Sequence, residues 1–272
     1  MATKIIDFHT HAFPDALARR AMKILLDEAP GIQAYLDGTL DALLASMQRN
    51  SIEKSVVCCI ATRPEQFEPI LNWCRTSRCE QFVMLPSIHP SASSCLDQID
   101  QIKAEGFNGI KLHPFYQDFL IDEDRMLEIY DKLQRENLLA VMHTGFDIAF
   151  PRIRRADPEK IARINRLFPN LKLITTHLGA WQQWDEVERF IVGRPIYMGI
   201  SFAMEYMEVS QAKRMITGHP SEYVLFGTDS PWTDQGQTTA LLANLMLPEE
   251  KLNMILRSNA ERLLSETGSA YR

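Results

Sequence analysis

Eight short apolar runs, each closing on polar or turn-forming residues, recur along the chain: Lys4–His11, Ser55–Thr62, Phe82–Pro90, Gly109–Phe115, Ala140–Gly145, Lys172–Gly179, Ile196–Ser201 and Val224–Trp232. Their starts are separated by 51, 27, 27, 31, 32, 24 and 28 residues. A strand followed by a crossover helix needs about 30 residues, so six of the intervals hold one helix each and the first has room for two.

The intervals read as helices. Ser91–Ser94 supply N-cap residues before Leu96, Ile99 and Ile102 at helical spacing, and Gly106 stops the pattern. Asp122 opens the next, with Met126, Tyr130 and Leu133 on one stripe. Asp157 precedes a first-turn Pro158, followed by Ile161, Ile164, Leu167 and Phe168. The tail holds helical stretches over Thr238–Met246 and Glu249–Leu264, with Pro248 between them. Near-continuous apolar strands alternating with helices imply a parallel sheet covered by helices. Eight such units imply an α/β chain folded as a closed (β/α)8 barrel, a TIM barrel, in a single domain over residues 1–272 with an extra helical segment after the first strand. Neither a GxGxxG motif nor a P-loop is present, which argues against dinucleotide and nucleoside triphosphate binding.

Composition narrows the class further. A 46% hydrophobic content is ample for a large core, and a formal net charge of −6 argues against nucleic acid as the partner. No run of about 18 apolar residues exists to span a membrane. Only four residues precede the first apolar run, so no signal-peptide pattern is expected and cytoplasm is the default location. Cys58, Cys59, Cys74, Cys79 and Cys95 include no C-x-x-C pair and read as reduced, mostly packing thiols. The expected partner is a small-molecule substrate, with a homo-oligomer left open.

Chemistry in such barrels gathers at the C-terminal ends of the strands. The runs here end in His9 and His11, His89, Lys111 and His113, His143, His177 and Asp229, which places six of the seven histidines there. Alternate strand residues share a face, so His9 and His11 point the same way, about 6–7 Å apart along the backbone, and can lean onto one cation. A lone His-x-His pair is equally two polar residues at a strand end. A ring of imidazoles with one carboxylate has a chemical purpose, because those donors suit a borderline cation such as Zn²⁺ that activates water.

Asp7-Phe8-His9-Thr10-His11, Gly109-Ile110-Lys111-Leu112-His113-Pro114, His143-Thr144-Gly145, Thr176-His177-Leu178-Gly179 and Gly227-Thr228-Asp229-Ser230-Pro231-Trp232 occur in order, followed by Ser258-Asn259-Ala260-Glu261-Arg262-Leu263-Leu264. In these motifs the chain resembles the amidohydrolase superfamily of metal-dependent (β/α)8 barrels, and within it the amidohydrolase-related family that includes aminocarboxymuconate-semialdehyde decarboxylase. The resemblance covers nearly the whole chain. It implies that His9, His11 and His143 are metal ligands and that Asp229 is a ligand that also relays a proton. It implies that His177 either ligates the metal or hydrogen-bonds its water, orienting it and stabilising charge on the substrate, as on the oxyanion of a hydrolysis. A carboxylate beside an activated water can take its proton and later deliver it to a leaving group.

The fourth run leaves two readings open. Lys111 resembles the carboxylated lysine that bridges two metals in some superfamily members, but it is also read as a buried ion-pair partner, with His113 at the mouth as a substrate contact. The resemblance favours one divalent metal, with Zn²⁺ the default and Mn²⁺, Fe²⁺ or Co²⁺ fitting the same ligands.

On the substrate side, Arg155, with Arg152 and Arg154, and Arg63 offer guanidinium forks for an acidic group, or form solvated basic stretches. Phe146, Trp181 and Trp232 each follow a ligand-bearing run and are candidates to wall an apolar substrate. Residues 12–50 would cover the site or form a dimer surface. Two activities are consistent with the family: hydrolysis of a lactone, amide or ester of a small organic acid, and metal-dependent non-oxidative decarboxylation of an aromatic or unsaturated acid. The short length, with GIKLHP and GTDSPW, favours hydrolysis. A non-enzymatic metal-binding barrel fits less well, because every expected ligand is present.

Overall fold

The computed structural model describes residues 4–267. Its strands are β1 (Ile5–Thr10), β2 (Ile52–Cys58), β3 (Phe82–Leu85), β4 (Gly109–Leu112), β5 (Leu139–Met142), β6 (Lys172–Thr175), β7 (Tyr197–Gly199) and β8 (Val224–Leu225). All pair in parallel, in the orders β1-β2-β3 and β4-β5-β6-β7-β8. Single backbone bonds bring the two sheets together into the (β/α)8 barrel. Lys111 N donates to Pro86 O (2.9 Å) at one seam; Phe8 N donates to Phe226 O (2.8 Å) and Asp229 N to His9 O (2.7 Å) at the other.

The first interval holds two helices, as its length requires: α1 (Asp15–Glu28) and α2 (Leu40–Arg49). Single helices fill the next intervals: α3 (Phe67–Ser77), α4 (Cys95–Ala104), α5 (Asp124–Arg135), α6 (Pro158–Leu167), α7 (Trp184–Phe190) and α8 (Val209–Gly218). After β8 come α9 (Gln235–Asn244), α10 (Glu249–Asn253), a π-helical turn over Met254–Ser258, and α11 (Asn259–Thr267). That π-helical turn interrupts the single stretch expected over 249–264. No helix of the described residues is long and apolar enough to cross a membrane.

Strand alternation divides the core. In β5, Leu139 and Val141 join an inner cluster with Ile6, Phe8, Val56 and Ile174, while Ala140 and Met142 pack in the layer shared with Ile129 and Ile161 of the helices. Both faces are apolar, which is why the strands read as continuous hydrophobic runs.

The ladders stop earlier than the apolar runs do. Pairing ends at Leu112, Met142, Thr175 and Leu225, so His113, His143, His177 and Asp229 all lie just beyond it. The residues past the ladder include left-handed non-glycine positions at His177 (φ 57°), Phe202 (φ 48°) and Asp229 (φ 68°). Such conformations cost about 1–3 kcal/mol each and persist where surrounding structure enforces them, typically at functional sites. Cys58, Cys59 and Cys74 are free and buried, as packing thiols would be.

Candidate metal centre

Asp7 supports the site from beneath. Its carboxylate is fully buried and accepts from Thr228 N (3.0 Å), Thr228 Oγ1 (2.6 Å), Gln235 Nε2 (2.8 Å) and His9 N (3.3 Å). These bonds tie β1 to the segment after β8, and burial pushes the carboxyl up to about 6.

Above it, His9 Nε2 and His11 Nε2 lie 3.1 Å apart, and each is 3.2 Å from Asp229 Oδ1. A cation with ligands at 2.0–2.1 Å in tetrahedral geometry has ligand–ligand edges of about 3.3 Å, so this triangle has the size of one coordination face. The tautomers, assigned from their partners, agree with that use. His11 Nδ1 lies 2.8 Å from the carbonyl oxygen of Cys58, which can only accept, so the proton sits on Nδ1 and Nε2 is bare. Two imidazole lone pairs and a carboxylate oxygen thus converge where only a positive charge reconciles them. Burial raises the Asp229 carboxyl, but His9 and His11 outweigh it and hold the group well below the usual range. His9 is held well below 6.5, first by burial and then by Lys111.

A second pair stands beside the first. His177 Nε2 faces His143 Nδ1 at 3.0 Å. His177 Nδ1 donates to Ser201 O (3.1 Å) and His143 Nε2 to Phe146 O (2.9 Å), so the two facing nitrogens are also bare. Burial and the neighbouring His143 push His177 down to about 3, which keeps it neutral. His143 and His177 fall outside the compact His9–His11–Asp229 group.

Lys111 is fully buried, with Nζ 3.0 Å from His9 Nε2. Among the described residues it makes no ion pair, although the Asp229 and Asp147 carboxylates act on it electrostatically. Burial lowers its pKa. An ammonium at this place would repel a cation, so occupancy of the triangle requires Lys111 neutral, modified or turned aside.

His113 stacks on His143 with ring centroids 4.1 Å apart and planes 17° apart, and its Nε2 meets Asp147 Oδ2 at 3.3 Å. His143 Nε2 is 3.5 Å from the same oxygen. His113, His143 and Asp147 gather closely enough to suggest another cation site. Stacked rings, however, project their lone pairs in parallel, and the nitrogen of His143 on this side already donates to Phe146. The group is better described as a carboxylate beside two imidazoles, 3.3 Å from His113 Nε2 and 3.5 Å from His143 Nε2. Asp147 was not visible as a site residue in the sequence, although it stands one helical turn's spacing after His143.

His89 corrects the expected ring of six histidines. Its Nδ1 is engaged by Ser91 Oγ (2.8 Å) and Ser91 N (3.2 Å) in a local turn, and it takes no part in the ring contacts that link His9 with His11 and His177, and His143 with His113 and His177. Arg155 binds Asp118 (2.7 Å) and lies over Phe115 (5.6 Å to the centroid). Arg154 is committed to Glu186 and Asp157, and Arg152 lies over the Phe146 ring (5.1 Å). Trp181 is buried, 6.0 Å from the His177 ring, and packs with Phe202 (5.0 Å) and Tyr206 (4.8 Å). Phe115 stands edge-on to His143 (5.9 Å). Trp232 is half-buried in the turn after Asp229, with its N donating to Asp229 O (3.0 Å).

No curated protein matches the chain by sequence. Among solved structures, an uncharacterized TIM-barrel protein of Bordetella bronchiseptica is 20% identical, with a TM-score of 0.78 over 97% of this chain and 99% of that one. A dihydroxybenzoic acid decarboxylase of Polaromonas, solved with bound manganese and an inhibitor, is 13% identical (TM-score 0.71; 99% and 100% covered). A probable 2-pyrone-4,6-dicarboxylic acid hydrolase of Acinetobacter baumannii is 11% identical (TM-score 0.63; 96% and 99% covered). At these identities the likeness is one of fold. The amidohydrolase family model matches residues 6–265, and on that match the chain belongs to the amidohydrolase family of enzymes.

Proposed function

We propose that the protein is a metal-dependent hydrolase that directs water onto a carbonyl carbon, in a lactone, amide or ester of a small organic acid. The observation that carries this reading is the triangle of His9 Nε2, His11 Nε2 and Asp229 Oδ1, with edges of 3.1–3.2 Å. These three residues would hold one divalent ion, Zn²⁺ by default, with His143 and His177 completing its surroundings. When bound, the ion supplies Lewis acidity, making water acidic enough to attack at neutral pH and polarising the carbonyl.

The residues of the chain do the rest. Asp229 uses Oδ1 toward the imidazoles, which leaves Oδ2 to take the proton of the attacking water and return it to the leaving group. His177, with Nδ1 committed to Ser201 O, offers Nε2 as an acceptor and orients that water. In this tautomer it does not donate to a developing oxyanion, which narrows the role expected from sequence. Trp181, with Phe202 beside it, and Phe115 flank the His143–His177 pair and suit a flat, apolar carbon skeleton.

The same aromatic walls favour a second reading, decarboxylation of an aromatic or unsaturated acid, the reaction named for the Polaromonas neighbour. The two are separated by presenting pooled lactones, esters, amides and aromatic acids to the metal-loaded protein in ¹⁸O-water. Incorporation of ¹⁸O into a product carboxylate supports hydrolysis. Release of CO₂ without incorporation rejects it.

A further inference from the structure

Four imidazoles converge on the barrel mouth, and the outward nitrogen of each is anchored. Three anchors are backbone carbonyls: Cys58 for His11, Phe146 for His143 and Ser201 for His177. His9 is the exception, because its Nδ1 lies 2.8 Å from the hydroxyl of Ser201. Ser201 therefore touches two imidazoles from different strands, one through its side chain and one through its backbone.

Three further observations show that this contact is built in. Ser201 is fully buried. Phe202, directly after it, holds a left-handed φ of 48°, an unfavourable choice for a bulky residue. Across the strand end, a Cβ at Gly227 would come within 3.1 Å of His9 Cβ and 3.5 Å of Ser201 Cβ, so a glycine there lets His9 and Ser201 settle side by side. The direction of the hydrogen bond follows from the other face of the ring. Lys111 Nζ, which carries hydrogens to give, donates to His9 Nε2 at 3.0 Å, which leaves the His9 proton on Nδ1 with Ser201 Oγ as its acceptor.

We propose that Ser201 is a positioning residue of the metal centre, whose hydroxyl fixes His9 in the tautomer and orientation that free Nε2 for a cation while its carbonyl does the same for His177. The inference rests on the reading of His9 as a ligand. Outer partners of this kind typically account for about 10- to 100-fold in metal affinity.

The test uses the full chain and Co²⁺ as the probe. In the metal-free wild type, ¹⁵N-histidine NMR should show the His9 proton on Nδ1. Ser201→Ala should lower Co²⁺ affinity, measured by chelator competition, by about 10- to 100-fold and shift the visible Co²⁺ bands. A wild-type His9 protonated on Nε2 overturns the proposal without recourse to any variant. So does a Ser201→Ala protein with wild-type affinity and spectrum. A wild type that binds no Co²⁺ counts against the metal reading itself, and the His9 tautomer then decides the role of Ser201 separately.

Discussion

His143 Nδ1 and His177 Nε2 face one another across 3.0 Å, and neither nitrogen carries a proton, because each ring has given its own to a backbone carbonyl. Two lone pairs at that separation repel unless a positive charge lies near them. His9 and His11 face one another at 3.1 Å as well, there with the Lys111 amine 3.0 Å from His9 Nε2. The folded chain thus holds electrostatic strain that a cation relieves.

Metal loading should therefore stabilise the fold. At a free ion concentration 100 times Kd, linkage gives about 2.7 kcal/mol, or a rise in thermal midpoint on the order of 5–10 °C for a chain of this size. Differential scanning fluorimetry with Zn²⁺ and Mn²⁺ after chelator treatment checks this. An unmoved midpoint with both ions would speak against the site.

Lys111 distinguishes one ion from two. If it is a buried amine beside a single ion, Lys111→Met preserves or raises metal affinity, since a competing positive charge 3.0 Å from His9 Nε2 is removed. If it bridges two ions as a carboxylated side chain, the same variant loses metal. Metal content of the purified variant gives the answer, and retention is the expected result.

Gly145 should tolerate no side chain. Its φ is 85°, and a Cβ would fall 2.1 Å from Trp181 N, in the backbone link between the ends of β5 and β6. Gly145→Ala should cost on the order of 3–5 kcal/mol in urea unfolding and displace Trp181 from His177. A loss below about 1 kcal/mol would show that the loop relaxes more freely than its packing implies.

His219 lies apart from the metal centre and supplies a clean acid-stability probe. Its Nε2 donates to Ile196 O (2.9 Å), and burial pushes its pKa from the ordinary 6.5 down to about 4. The unfolded chain takes up this proton below pH 6.5 and the folded chain only below about 4. Stability from the neutral ring is therefore complete above pH 6.5 and is lost as pH falls toward 4, by up to about 1.4 kcal/mol per pH unit. His219→Gln should flatten the metal-free stability curve in that window, read by urea denaturation. An unchanged slope would place the titration elsewhere.

The barrel was legible because apolar runs at near-regular spacing leave few alternatives, and the first interval announced α1 and α2 by its length. The triangle was legible in part: His9 and His11 share a strand face, whereas Asp229 joined them as a ligand through the family resemblance. Ser201 and Asp147 were not legible. Both act from irregular backbone beyond the ladders, where partner choice depends on turns such as the left-handed Phe202 rather than on periodicity. His89 misled for the same reason, since Ser91 captures its ring two residues on. Strand ends were overextended because the residues that build the site abandon ladder pairing to turn inward.

Metal content per chain, measured by mass spectrometry on protein purified without chelators, tests the central claim most directly. The His9–His11–Asp229 triangle predicts about one divalent ion per chain in the wild type and almost none in Asp229→Ala, with the metal-free fold of both intact. No ion in the wild type after incubation with Zn²⁺ or Mn²⁺, or a full complement in Asp229→Ala, would contradict it.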